Sequence, residues 1–135
     1  MKKLRRQKLL DGRRGQALVE LALVLPLLLL LIMGSLEMGR ILHSYLVLTS
    51  ATREGARIGI VGASDDEIRD RVKEVAFTLN LTDGDITIVP EQGLRNPGTA
   101  LKVKVTYGVE LVTPVLNSLL PNPFPLTAEI NMRVE

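Results

Sequence analysis

The sequence predicts an α+β fold: a long N-terminal transmembrane helix continuing as an amphipathic rod, followed by a small domain of one helix on a three-stranded antiparallel sheet. Three observations predict it. From Ala17 to Leu36 the only ionisable side chain is Glu20, and a helix of roughly 20 apolar residues spans the roughly 30 Å hydrocarbon core of a bilayer. Helical spacing of apolar residues then resumes, interrupted near Gly62 and restarting before Ile68, as for helices with one buried face. Beyond Asp85 the apolar positions recur every second residue instead, the period of a half-buried strand. A soluble domain takes roughly 50 to 200 residues, so the 135 residues hold one anchor and one small domain. The boundaries are set at 1–15 for a basic cytoplasmic leader, 16–62 for the transmembrane helix and its extension, and 63–135 for an extracytoplasmic α+β domain.

The leader carries Lys2, Lys3, Arg5, Arg6, Lys8, Arg13 and Arg14 against the single acid Asp11, although the whole chain has a net charge of only +2. Lys and Arg beside a membrane segment stay on the cytoplasmic side, so the chain should run N-in and C-out. The same cations can serve as a nucleic-acid arm, but no aromatic residue interleaves with them to stack on bases, and anionic headgroups suffice to account for them. No nucleic-acid partner is expected. The absence of cysteine excludes disulfides, thiolate chemistry and cysteine-based metal sites.

The apolar run has two readings, an anchor and a cleaved secretory signal. A signal needs a small-x-small cleavage site after its apolar core, and Gly34-Ser35-Leu36-Glu37-Met38-Gly39-Arg40 offers none of the Ala-x-Ala type. The helical pattern also continues: Met38, Ile41, Leu42, Tyr45, Leu48 and Ala56 fall on one stripe, with Arg40, His43, Ser50, Glu54 and Arg57 opposite. The helix is therefore expected to leave the membrane as an amphipathic rod. Pro26 removes one backbone hydrogen bond inside the run, which makes an ordinary kink or a hinge used during extraction from the membrane. Ser35 and Gly39 form a small-xxx-small pair suited to close helix packing.

Ser64-x-x-Glu67 is a capping box that starts the next helix. Ile68, Val72, Val75, Ala76 and Leu79 share its inner face, and Glu67 and Arg71 have the spacing of an i,i+4 pair. The acids Asp65, Asp66 and Glu67 suit a helix first turn through its dipole. They lack the glycine and spaced ligands of a calcium loop, so no metal is expected. After the Asp83-Gly84 turn, Ile86 and Ile88 give a short strand ended by Pro90, and Gln92 to Gly98 form a loop. Leu101, Val103, Val105 and Tyr107 alternate with Lys102, Lys104 and Thr106, as do Leu126, Ala128, Ile130, Met132 and Val134 with polar residues. Between these strands, Val109 to Leu120 is largely apolar, with an exposed part suited to a partner or the membrane surface. Pro121 to Pro125 is a proline-fixed connection.

No catalytic constellation is legible. His43 is the only histidine, without a second imidazole or thiol to make a zinc site. There is no glycine-rich phosphate loop and no Gly-x-Ser-x-Gly. The sequence predicts no enzyme, no cofactor and no small-molecule substrate. Asn80-Leu81-Thr82 matches a glycosylation sequon, which matters only in a glycosylating secretory pathway.

A basic leader, Gly15, a glutamate as the fifth residue after it and a long apolar run resemble the class III signal of type IV prepilins and pseudopilins. The phrase Gly15-Gln16-Ala17-Leu18-Val19-Glu20, together with Ala51-Thr52-Arg53-Glu54-Gly55-Ala56-Arg57, more closely resembles the TadE-like pseudopilins of tight-adherence (Flp) pilus systems. The resemblance covers residues 13 to 57. It implies cleavage after Gly15 by a membrane prepilin peptidase, freeing Gln16 as a new N-terminus. It also implies that Glu20 pairs with the terminal ammonium of a neighbouring subunit. The partners would be other pilin-like subunits, pilus assembly membrane proteins, the peptidase and the bilayer, at the inner membrane. Leu21 stands where major Flp pilins carry tyrosine, and Gln16 where typical pilins begin with an aromatic residue or methionine, which favours a minor pseudopilin over the main filament subunit. The alternative is an unprocessed single-pass protein whose outer domain is a binding module.

Overall fold

The computed structural model describes residues 2–135, and the side chains of residues 15–135. Met1 and the side chains of the basic leader, residues 2–14, lie outside the described residues. The chain divides into two units, Met1–Leu36 and Glu37–Glu135. One helix, α1 (Lys2–Ile60), contributes to both and continues through Pro26.

The first unit consists of helix. From Ala17 to Leu36 its aliphatic side chains point outward all round; Leu23 is 75% exposed and Leu30, among the more shielded, 43%. A soluble protein rarely leaves so large a contiguous apolar surface uncovered. Among the described residues, α1 is the one helix long and apolar enough to cross a membrane.

The second unit is built on the remainder of α1. That part ends in a Schellman motif: Ala63 N–H donates to Ile58 O at 3.2 Å and Gly62 N–H to Gly59 O at 3.4 Å. This closure puts Gly62 at φ +100°, a conformation open to glycine and costly for a residue with a Cβ. Helix α2 (Asp65–Val75) follows, with the expected capping box: Glu67 N–H donates to Ser64 Oγ at 3.2 Å, and Ser64 N–H donates to Glu67 Oε2 at 2.7 Å. Because the Glu67 carboxylate is held there, it does not meet Arg71. The expected i,i+4 pair is absent, and Arg71 bonds Glu74 at 2.7 Å and Glu54 of α1 at 3.0 Å instead.

The sheet among the described residues has three antiparallel strands in the order β1 (Ile86–Val89), β2 (Ala100–Val109), β3 (Phe124–Arg133). Ile86 lies opposite Val105, and Val105 opposite Ala128, so the period-two pattern puts one apolar face on the core. Leu101, Val103 and Val105 are fully buried there, with Lys102 outward and bonded to Glu129 at 2.9 Å. A short helix, α3 (Pro114–Leu119), opens on its proline at the first turn, the position where a missing N–H costs nothing.

The core joins this sheet to Ile68 and Val72 of α2, to Ala76 just beyond it, and to Leu48, Ala51 and Ala56 of α1. The buried face of α1 differs from the expected stripe. Leu48 and Ala56 of that stripe are buried, but Met38, Leu42 and Tyr45 are exposed, and Glu37, Ala51, Thr52, Gly55 and Gly59 are buried besides. Small residues face inward because α2 and β2 come too close for large ones: a Cβ on Gly55 would sit 2.5 Å from Val72 Cγ2, and one on Gly59 2.5 Å from Leu101 Cδ2. Gly59 is therefore a close-packing position.

Candidate functional site

Gly15, Gln16 and Glu20 lie on α1 with their side chains exposed. Gln16 and Glu20 are four residues apart, hence neighbours on one helix face. No hydrogen bond or ion pair to Glu20 occurs among the described residues. A carboxylate inside a span costs on the order of 2.5 to 3.5 kcal/mol at mid-helix, and a cation supplied by another chain offsets that cost. Further along, the Ser35 hydroxyl donates to Leu31 O at 2.8 Å, within its own helix. Gly39 has open space where a Cβ would stand. Both positions are exposed, whereas Gly55 and Gly59, farther along α1, pack closely against α2 and β2.

The segment Ala51 to Arg57 is a platform for α2. Thr52, fully buried, donates its hydroxyl to Leu48 O at 2.7 Å, which satisfies a polar group where water is absent. Gly55 and Ala56 face the core. Glu54 accepts from Arg57 at 2.8 Å and from Arg71 of α2 at 3.0 Å. The Arg57 bond, then the Arg71 bond, lowers the Glu54 carboxyl from 4.5 to about 2. Charge thus ties the two helices together beside the contact made by Gly55.

A third cluster was not singled out by sequence reasoning. Glu37, one residue beyond the apolar run, is buried although it is a carboxylate. It accepts from Val112 N–H at 3.3 Å, from the Thr113 hydroxyl at 3.1 Å and from Arg40 at 3.0 Å. Arg40 also donates to Glu110 O at 3.4 Å. The only local signal for this was the Glu37-x-x-Arg40 spacing; its partners lie more than seventy residues away in sequence.

The acids of the α2 first turn are all engaged. Asp65 pairs with Arg95, Asp66 with Arg69 at 3.3 Å, and Glu67 caps the helix. Arg95, whose side chain is almost fully buried, also donates to Ala63 O at 2.8 Å and Pro90 O at 3.0 Å. Burial holds its pKa below the ordinary arginine value. The adjoining cleft, lined by Ile60, Gln92, Arg95 and Glu135, has its one buried cation fully bonded in this way. No group of three or more His, Asp or Glu side chains that could hold a metal occurs among the described residues.

Residues 15–57 match the family model described as TadE-like protein. The match starts at Gly15, takes in the whole apolar run and ends with the platform segment; residues 58–135 lie outside it. No curated protein and no solved structure matches the chain significantly.

Proposed function

We propose that this chain, TadE-like over residues 15–57, is a minor pseudopilin that takes part in assembling a tight-adherence type pilus or a related secretion apparatus. Prepilin peptidase cuts between Gly15 and Gln16, leaving the apolar helix attached to the new N-terminus. Glu20 pairs with the ammonium of a neighbouring subunit, and the unit beginning at Glu37 faces away from the cytoplasm. The role is structural, with other pilin-like subunits and pilus assembly membrane proteins as partners. The observation that carries this reading is the start of the matched segment: Gly15, followed by a carboxylate that has no ion pair among the described residues and stands inside an otherwise uncharged span. The exposed ridge of Met38, Leu42, Tyr45 and Leu46 supports it, since an apolar helix face left uncovered beyond the span suits a second helix. Ser35 and Gly39 supply the point of closest approach.

N-terminal sequencing of the membrane-purified chain, with and without the peptidase, tests the processing step. A chain beginning at Gln16 in the first case and at Met1 in the second is expected; Met1 in both overturns it. Glu20→Ala should insert into the membrane normally and cross-link less to pilus components. Unchanged cross-linking removes the carboxylate from assembly.

A further inference from the structure

Leu111 to Ala128 contains no Asp, Glu, Lys, Arg or His, and within it Val112, Val115, Leu119 and Leu120 are exposed. This apolar excursion is built rather than slack. At its base, Leu111 N–H donates to Asn122 Oδ1 at 3.0 Å, and Asn122 Nδ2 donates back to Leu111 O at 3.5 Å. Gly108 lets Pro123 close in, since a Cβ there would meet Pro123 Cβ at 2.9 Å. Its first residues are then held by α1, where Glu37 accepts from Val112 N–H and the Thr113 hydroxyl.

That anchor decides where the excursion lies. Glu37 follows Leu36, the last residue of the uncharged run, and consecutive Cα atoms are about 3.8 Å apart. When the run fills the hydrocarbon core, Glu37 stands at the boundary between lipid and water, and Val112, hydrogen-bonded to it, stands there too. A short apolar segment without charges suits that layer, where amphipathic elements bury about 5 to 10 Å deep. Asn117 and Ser118 offer polar groups for headgroups.

We propose that the segment from Val112 to Leu120 inserts its exposed aliphatic side chains into the surface of the bilayer that α1 crosses, as a second membrane contact. This rests only on the span crossing a bilayer and is independent of cleavage at Gly15 and of assembly through Glu20. The full chain has no native cysteine, so a fluorophore can be placed singly at Leu119→Cys. A second label goes at Gln92→Cys, beside Ile60, which lies roughly 35 Å along α1 from Glu37 at 1.5 Å per residue. The protein is reconstituted in phosphatidylethanolamine and phosphatidylglycerol vesicles carrying nitroxide lipids. Quenching of the Leu119 label several-fold stronger than that of the Gln92 label is expected, and equal quenching overturns the proposal. A Leu119 label shielded from aqueous iodide yet untouched by nitroxide lipid also overturns it, since a protein neighbour then covers the patch. Adding Glu37→Ala should remove most of the lipid quenching at Leu119; undiminished quenching refutes the anchoring step.

Discussion

Glu54 sits between two guanidinium groups, and its carboxyl is held at about 2 where 4.5 is ordinary. A carboxyl lowered by folding stabilises the folded state above its unfolded pKa and loses that contribution as pH falls through the folded value. The Glu54 contribution is therefore essentially complete above about pH 4.5 and falls away as the pH drops toward and through about 2. Melting temperatures of the full chain in detergent should show Glu54→Gln below wild type at neutral pH, with the gap closing across that window. A constant gap down to pH 2 contradicts the ion-pair account. Gly59 makes a steric rather than electrostatic case. Alanine there gains about 0.8 to 1 kcal/mol in helix propensity but forces its Cβ onto Leu101 Cδ2 at 2.5 Å and Ile68 Cδ1 at 2.8 Å. Overpacking of this kind costs about 1 to 3 kcal/mol, so Gly59→Ala should lower the melting temperature. At Gly39, where no atom lies within 4 Å of the added Cβ, only the propensity gain remains. Gly39→Ala should raise the stability of the isolated chain by about 0.5 to 1 kcal/mol, while reduced cross-linking of that variant to neighbouring subunits would mark the position as a packing site.

At the scale of elements, the strands and the capped helix α2 were legible because their signals are local. Alternation over Leu101 to Tyr107 and Leu126 to Val134 gives the buried face of each strand directly, and Ser64 with Glu67 marks a helix start by chemistry confined to four residues. The inward face of α1 was legible only at Leu48 and Ala56. Judged by side-chain size, Met38, Leu42 and Tyr45 look like its core stripe, yet they are exposed while Gly55 and Gly59 face α2 and β2. Close helix contact selects for small residues, and nothing in a glycine's own neighbourhood says whether it loosens a chain or admits a partner. The cap itself can be checked on this scale: Ser64→Ala removes the acceptor for Glu67 N–H and should destabilise the fold by about 1 kcal/mol in denaturant titration.

For the whole molecule, the apolar span and the Gly15 to Glu20 phrase could be read before any coordinates. The Glu37 clasp could not, because a sequence does not pair residue 37 with residues 112 and 113. Glu37→Ala would leave the Val112 N–H and the Thr113 hydroxyl without their acceptor, at about 1 to 3 kcal/mol for a buried unsatisfied group. Hydrogen exchange at Val112 should accelerate accordingly, with the strands less affected. The composition of the core, in which Leu48, Ala51 and Ala56 of α1 meet Leu101, Val103 and Leu126 of the sheet, also imposes an order on biosynthesis. The ribosome releases the α1 part of this core first, and the strand that carries Leu126 last. Long-range pairing of this kind closes late, so the span is committed to the bilayer while the glycine face of α1 is still bare.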